Sequence, residues 1–276
     1  MAVIATTAGR QTARGDTLCI EWPARDVARI TFERADEMNA LSLAMIDELS
    51  QALAIAGQQR AAAVILTGSG RAFCAGADLK LLASSEAGLF DSPIALRDRY
   101  LAPLARLFDS MEEMPFPIIA AINGYALGGG CEMALSADLR IMSRDASLGL
   151  PEVKLGAIPG AGGVQKLIRH VGRSKALEWI LLASRIDADE AERHGLVVEV
   201  TEPDRLPQRA LDLAARISTF GPQAIAQAKT SIYLSEDADL RTARRFGVEA
   251  LTALASTAEW KEGVSAFIDK RPPRFR

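Results

Sequence analysis

The stretch ALGGGCEMALSADLRIMSRDASLGLPEVKLGAIPGAGG, residues 126–163, decides how the rest of the chain is read. Before it comes PFPIIAAINGYA, a short, apolar, β-branched run interrupted by Asn123-Gly124, which reads as a buried strand feeding a turn. Cys131 to Ser136 has helical composition. A strand that ends in Gly128-Gly129-Gly130 and passes into a helix leaves backbone N–H groups unpaired, with the helix dipole behind them. That is an anion or oxyanion site made of backbone, and only hydrogen fits where a ligand must touch the main chain. The triplet alone equally permits a flexible turn or a close-packing point. No Gly-Lys-Ser/Thr follows and the spacing does not fit GxGxxG, so nucleotide triphosphate chemistry is not expected here.

The same stretch carries Glu132 and Glu152. Among 35 acidic residues, two glutamates twenty apart mean little in themselves, and a solvated surface charge is the ordinary role. Glu132 stands out because it lies just inside the helix after the glycines. Glu152 stands out because LGLPEVKLGAIP is apolar, and a charge is costly to bury there without a purpose.

Around this centre, 276 residues suffice for one large domain or a domain plus an appendage. Apolar content of 49% and charged content of 24% are ordinary for a globular chain. A net charge of −3 and a pI near 5.6 speak against a nucleic-acid surface, and no apolar run is long enough to cross a membrane. Residues 1–16 read as a disordered leader. Cys19, Cys74 and Cys131 lack metal-ligand spacing and fit a reducing cytoplasm as small buried hydrophobes.

Taken in order, TLCIEW and VARITFE read as a β-hairpin, and Ser42 is placed to cap the helix LAMIDELSQALAIAG. AAAVILTG reads as a buried strand that opens into the loop SGRAFCAGADLK. Residues 83–93 read as a mobile surface loop, and Pro103 should kink or divide the helix that follows. DLRIMSR and LVVEV read as strands, and GVQKLIRHVG as a helix. Beyond Glu202 only amphipathic helices are expected. The expected organisation is an α/β core over residues 17–200 and a helical region over 201–276.

Several motifs together make the chain resemble the enoyl-CoA hydratase/isomerase, or crotonase, superfamily. They are NALS at Asn39 to Ser42, GRAFCAGADLK at Gly70 to Lys80, INGYALGGGCE at Ile122 to Glu132, LPEVKLGAIPGAGG at Leu150 to Gly163, and AFIDKRPPRF near the end. The resemblance implies an α/β spiral of repeated ββα units with a C-terminal helical trimerisation region, and a homotrimer or a hexamer built as a dimer of trimers. It implies acyl-CoA thioester substrates, with coenzyme A part of the substrate, no further cofactor and no metal.

By the same resemblance, the backbone N–H groups of Ala77 and Gly129 form an oxyanion hole, and Glu132 and Glu152 are the catalytic pair. Glu132 is expected to orient and deprotonate water, and Glu152 to deliver a proton to C2. Coenzyme A is expected to meet Ala40, Ala75, Gly76, Asp78 and Leu79, with Lys80 and Arg34 as phosphate contacts and Phe267 and Lys270 reaching the coenzyme of a neighbouring subunit. Residues 81–104, including Phe90, Tyr100 and Leu101, are expected to line the acyl pocket.

Two departures from the family pattern occur. Arg34-Ala35 stands where Arg-Pro is frequent, which is expected to loosen a turn, and Val164 where many hydratases have Thr, which puts no catalytic group in doubt. The nearest rival implied is a 2,3-enoyl-CoA isomerase, which can work with one glutamate at the Glu152 position; retention of Glu132 favours the hydratase. Thioester hydrolases, dehalogenases, decarboxylases and non-catalytic relatives are further rivals. His170 and His194 read as helix-end residues, and Trp22, Trp179 and Trp260 as packing residues.

Overall fold

In the computed structural model, which describes residues 1–7, 10–85, 88–89 and 91–276, the N-terminal segment departs from expectation. It is not a disordered leader: β1 (Ala2–Thr7) and β2 (Arg10–Arg14) pair antiparallel, and β2 pairs with β3 (Leu18–Ala24). The cause is a set of distant partners. Ala13 is fully buried, Arg10 lies over the Trp22 ring and pairs with Asp26, and Gln11 O accepts the Trp22 indole N–H. The Glu48 carboxylate then accepts from the Asp16 and Thr17 amides and the Thr17 hydroxyl.

The expected hairpin joins β3 to β4 (Val27–Phe32), and Ser42 caps α1 (Leu43–Gln58) by accepting the Met45 N–H. From there one pattern repeats: a strand in a large sheet, a strand in a small sheet, then helix. β5 (Ala63–Gly68) leads to β6 (Ala72–Cys74), α2 (Leu79–Ala83), α3 (Pro93–Leu96) and α4 (Ala102–Glu113). β7 (Ile118–Ile122) leads to β8 (Tyr125–Leu127) and α5 (Gly129–Ser136). β9 (Leu139–Ser143) leads to β10 (Ser147–Gly149) and α6 (Gly163–Leu181). β11 (Ile186–Asp187), α7 (Ala188–Arg193) and β12 (Glu199–Thr201) close the last turn. The large sheet has the order β1-β2-β3-β4-β5-β7-β9-β12 and the small one β11-β10-β8-β6, which is a spiral of ββα units.

Strand periodicity sets the layers. Val64, Leu66, Ile118 and Ala120 face the main core beneath α1 and α4, where Leu49, Leu53 and Phe108 pack. Ala63, Ile65, Ile119 and Ala121 face the other way, against Leu206, Ala210 and Ala214 of α8 (Leu206–Ser218). Burial on both faces is why AAAVILTG and PIIAAI read as continuous apolar runs. The first helix of the region assigned to residues 201–276 is therefore an outer layer of the sheet. α9 (Pro222–Asp237), α10 (Leu240–Ala255) and α11 (Ala258–Ile268) follow it.

Pro103 divides its helix without a sharp break. Arg97–Leu101 widens into a π-helical turn between α3 and α4, in which the Ala102 N–H bonds Arg97 O. A widened turn accommodates a residue that has no N–H to give. Of the loop expected at 83–93, Glu86, Ala87 and Phe90 lie outside the described residues; Leu89 is fully buried.

Candidate active site

The small sheet assembles the site by aligning strand exits. β6 and β10 both pair parallel with β8, matching Cys74 with Ala126 and Gly149 with Leu127. The chain leaving all three strands therefore emerges along one edge, the position where parallel sheets hold ligands. From β6 emerge Ala75, Gly76 and Ala77; from β8, Gly128 and Gly129; from β10, Leu150, Pro151 and Glu152. The Gly128 N–H donates to Gly149 O at 2.9 Å, which ties two of the exits together.

Glycine is needed at two of these exits. Gly76 has φ +93°, and a Cβ there would meet Leu127 O at 2.6 Å and the Gly129 nitrogen at 3.2 Å. Gly128 has φ +52° and ψ −126°, a conformation that only glycine adopts at ease. A Cβ on Gly129 would lie 3.8 Å from the Ala77 nitrogen, so the two amides are neighbours. Neither N–H has an acceptor among the described residues. Gly129 also opens α5, so its N–H stands at the positive end of a helix. The structure thus brings Ala77 and Gly129 together as expected.

The residues expected to meet coenzyme A are stitched to the NALS segment. Ala75 N donates to Met38 O, Leu41 N to Gly76 O and Asp78 N to Leu41 O, so the two loops run side by side. Asn39, fully buried, gives its amide to Ser69 O and Ala72 O and accepts from Arg34 N. Asp78 caps α2 through the Leu81 N–H; burial opposes its ionisation, but that bond and Arg34 hold its carboxyl below the usual range.

Arg34 is less available than the sequence implies. Its guanidinium is occupied by Asp78 Oδ2 at 3.0 Å and by Ala40 O. Lys80 and Leu79 are exposed beside it, and Lys80 forms no ion pair with any described residue. Tyr100 is buried and donates to Leu41 O at 2.9 Å, so its hydroxyl is occupied within the protein.

The two glutamates differ in their surroundings. Glu132, 3% exposed, sits in the first turn of α5, and its Oε1 accepts the amides of Ala161 at 2.8 Å and Gly163 at 2.9 Å. Burial raises its pKa, while those two amides and Lys166 oppose the rise. Glu152 opens a short 3-10 turn after β10, and its Oε2 is buried without a hydrogen-bond partner. Burial pushes its pKa up to about 7, and the nearby Glu132 charge adds to the rise. Close carboxylates share their titration, and the amides favour the negative charge on Glu132 and the proton on Glu152.

Phe267 and Lys270 are not brought to this edge by their own chain. Both are exposed at the end of α11, where Phe267 lines a groove of about 380 Å³ with Leu251, Leu254, Trp260 and Phe275. Trp179 is buried as expected and meets His194 edge-on at 5.3 Å, whereas Trp260 is 44% exposed. Burial pushes the Cys74 and Cys131 thiols up to about 12, so neither serves as a nucleophile near neutral pH. No His, Cys, Asp and Glu cluster suited to a metal occurs among the described residues.

Two amides without acceptors among the described residues, a buried carboxyl held by two further amides and a second carboxyl whose Oε2 is unpartnered form an arrangement that can stabilise an enolate and move protons. That class is matched by comparison with known proteins. The model of the enoyl-CoA hydratase/isomerase family matches residues 24–276, and the chain belongs to that family. A Rhizobium meliloti (strain 1021) protein named "Probable enoyl-CoA hydratase" is 40% identical over 95% of this chain and 98% of its own. The short-chain-enoyl-CoA hydratase of Clostridium acetobutylicum is 39% identical over 89% of this chain and 92% of its own. The crystal structure of an enoyl-CoA hydratase from Bacillus anthracis superposes with a TM-score of 0.89 at 37% identity, covering 94% and 99% of the two chains.

Proposed function

We propose that the protein is an enoyl-CoA hydratase that adds water reversibly to a 2-enoyl-CoA thioester to give the 3-hydroxyacyl-CoA. The observation that carries this reading is Glu132, held by two amides, together with Glu152, whose Oε2 is buried without a partner, near two N–H groups that have no acceptor among the described residues. The thioester oxygen would accept from Ala77 and Gly129 as negative charge gathers on it. Glu132 would take a proton from the attacking water through Oε2, since Oε1 is occupied. Glu152 would give its proton to C2. Nothing beyond the coenzyme A moiety of the substrate is required.

The direction of the Glu152 shift makes this testable by pH. Hydration needs Glu152 protonated and Glu132 ionised, so kcat/KM should fall as pH rises through about 7. A profile that stays flat from about pH 6 to 9 would contradict the assignment of Glu152 as the acid.

Coenzyme recognition falls to the rim of Ala75, Asp78, Leu79 and Lys80, with Arg34 holding Asp78 in place. Lys80→Ala should raise KM for enoyl-CoA by about three- to ten-fold and leave kcat nearly unchanged, with the effect shrinking as salt is added. Steady-state kinetics at two ionic strengths checks this. A homotrimer or hexamer in the cytoplasm completes the proposal: Val248, Leu251, Phe267 and Ile268 are exposed apolar residues of α10 and α11 that assembly would cover. Sedimentation of the purified protein reads the subunit number directly.

A further inference from the structure

Arg140, in β9, is 6% exposed and forms no ion pair with any described residue. A buried cation without a counter-charge is costly unless other dipoles solvate it. The adjacent acid does not bond to it: Asp138 accepts from Lys229, Tyr233 and the Ile118 amide, and favours the cation only through its charge. Arg140 is instead surrounded by carbonyl oxygens. Its Nε donates to Leu196 O at 2.7 Å, and its Nη1 faces Ala134 O at 3.2 Å, Leu135 O at 3.5 Å and Ala137 O.

Two of these four carbonyls, those of Ala134 and Leu135, belong to the last turn of α5, and a third, that of Ala137, to the residue that caps it. That helix has eight residues, all of them buried, so its last carbonyls call for partners from within the protein. The same helix presents the Gly129 N–H at its other end and Glu132 in its first turn. At 1.5 Å per residue it is about 12 Å long, so the cation acts on the site through the helix more than by its direct field.

We infer that Arg140 is a positioning residue for the oxyanion hole. Its charge completes the α5 dipole at the negative end, and its fork fixes the helix so that the Gly129 N–H and Glu132 keep their height against the strand exits. This inference rests on the hydratase reading above. The coenzyme rim is built on the β6 side from Met38–Leu41 and Ala75–Lys80, without α5. Loss of Arg140 should therefore appear in kcat rather than in KM.

The test compares wild-type protein with Arg140→Met and Arg140→Lys, using crotonyl-CoA kinetics and the absorption band of a bound conjugated dienoyl-CoA. That band moves to longer wavelength when the thioester carbonyl is polarised. Arg140→Met should lower kcat by about 10- to 100-fold with KM within about three-fold, and should shrink the red shift. Arg140→Lys, which keeps the charge but loses the fork, should lose less than about ten-fold and keep part of the shift. A methionine variant with depressed kcat and a full red shift would overturn the inference, as would a rise in KM at constant kcat. If the methionine variant does not fold, the lysine variant decides: a wild-type spectrum, with or without reduced kcat, contradicts the role. A wild-type protein that neither hydrates crotonyl-CoA nor shifts the dienoyl band would instead defeat the hydratase reading, a result separate from any difference between variants.

Discussion

Replacing Glu152 by glutamine should lower kcat for hydration by about 10³-fold and, above pH 7, make the folded protein more stable. The first effect follows from removing the group that protonates C2. The second follows from the raised pKa. In the folded state the carboxyl holds its proton up to about pH 7, whereas the ordinary value is 4.5. Its contribution to stability is therefore fully present below the unfolded value and is lost as pH rises through the folded one. Glutamine has no such loss. The stability difference should be near zero at pH 4 and reach its plateau above pH 7, at about 1–2 kcal/mol once solvent screening of a half-buried group is allowed for. Thermal or denaturant unfolding at both pH values measures it, and a glutamine variant less stable than wild type at pH 8 would contradict the electrostatic reading of Glu152. A functional carboxylate held against its own solvation is a common exchange of stability for activity.

Gly76→Ala should lower kcat by about 10²-fold or more and destabilise the fold by about 1–3 kcal/mol. The added Cβ would stand 2.6 Å from Leu127 O and 3.2 Å from the Gly129 nitrogen at a φ of +93°, so the β6 and β8 exits must separate. Ala77 and Gly129 then no longer converge on one oxygen. Gly195→Ala is the matching control: φ there is +72°, but nothing lies within 4 Å of the added Cβ. It should lose about 1 kcal/mol or less from strain and leave kcat unchanged. Equal losses of kcat in both variants would mean that backbone strain, not the spacing of the two amides, is what Gly76 controls.

Much of this was legible from local chemistry. The hairpin, the Ser42 cap, the buried strands and the helix after Gly128-Gly129-Gly130 all follow from short-range rules. The oxyanion pair was legible only in part: Gly128-Gly129-Gly130 implied free amides, but the partner amide of Ala77 lies across a parallel pairing that no local pattern specifies. The N-terminal hairpin was illegible for a similar reason, since its partners, Trp22, Asp26 and Glu48, come from elsewhere in the chain. The amides of Ala161 and Gly163 that hold Glu132 were missed because backbone donors leave no mark in side-chain identity. Arg140 did leave a mark, as a lone charge within the apolar strand LRIMS. Arg34 shows what a motif leaves out: an arginine at a position expected to meet phosphate also bonds Asp78 and Ala40 O within its own chain.

The most direct test follows the loss of conjugated enoyl-thioester absorbance when purified protein meets a series of 2-enoyl-CoA esters from crotonyl upward, beside Glu132→Gln. Rapid loss with formation of the 3-hydroxyacyl-CoA, falling by about 10²-fold or more in the variant, is the result expected of two glutamates acting on one water. Unchanged absorbance with every ester in the series would contradict hydration. Movement of a 3-enoyl ester's double bond into conjugation, surviving in Glu132→Gln, would mark the site as an isomerase working through Glu152 alone.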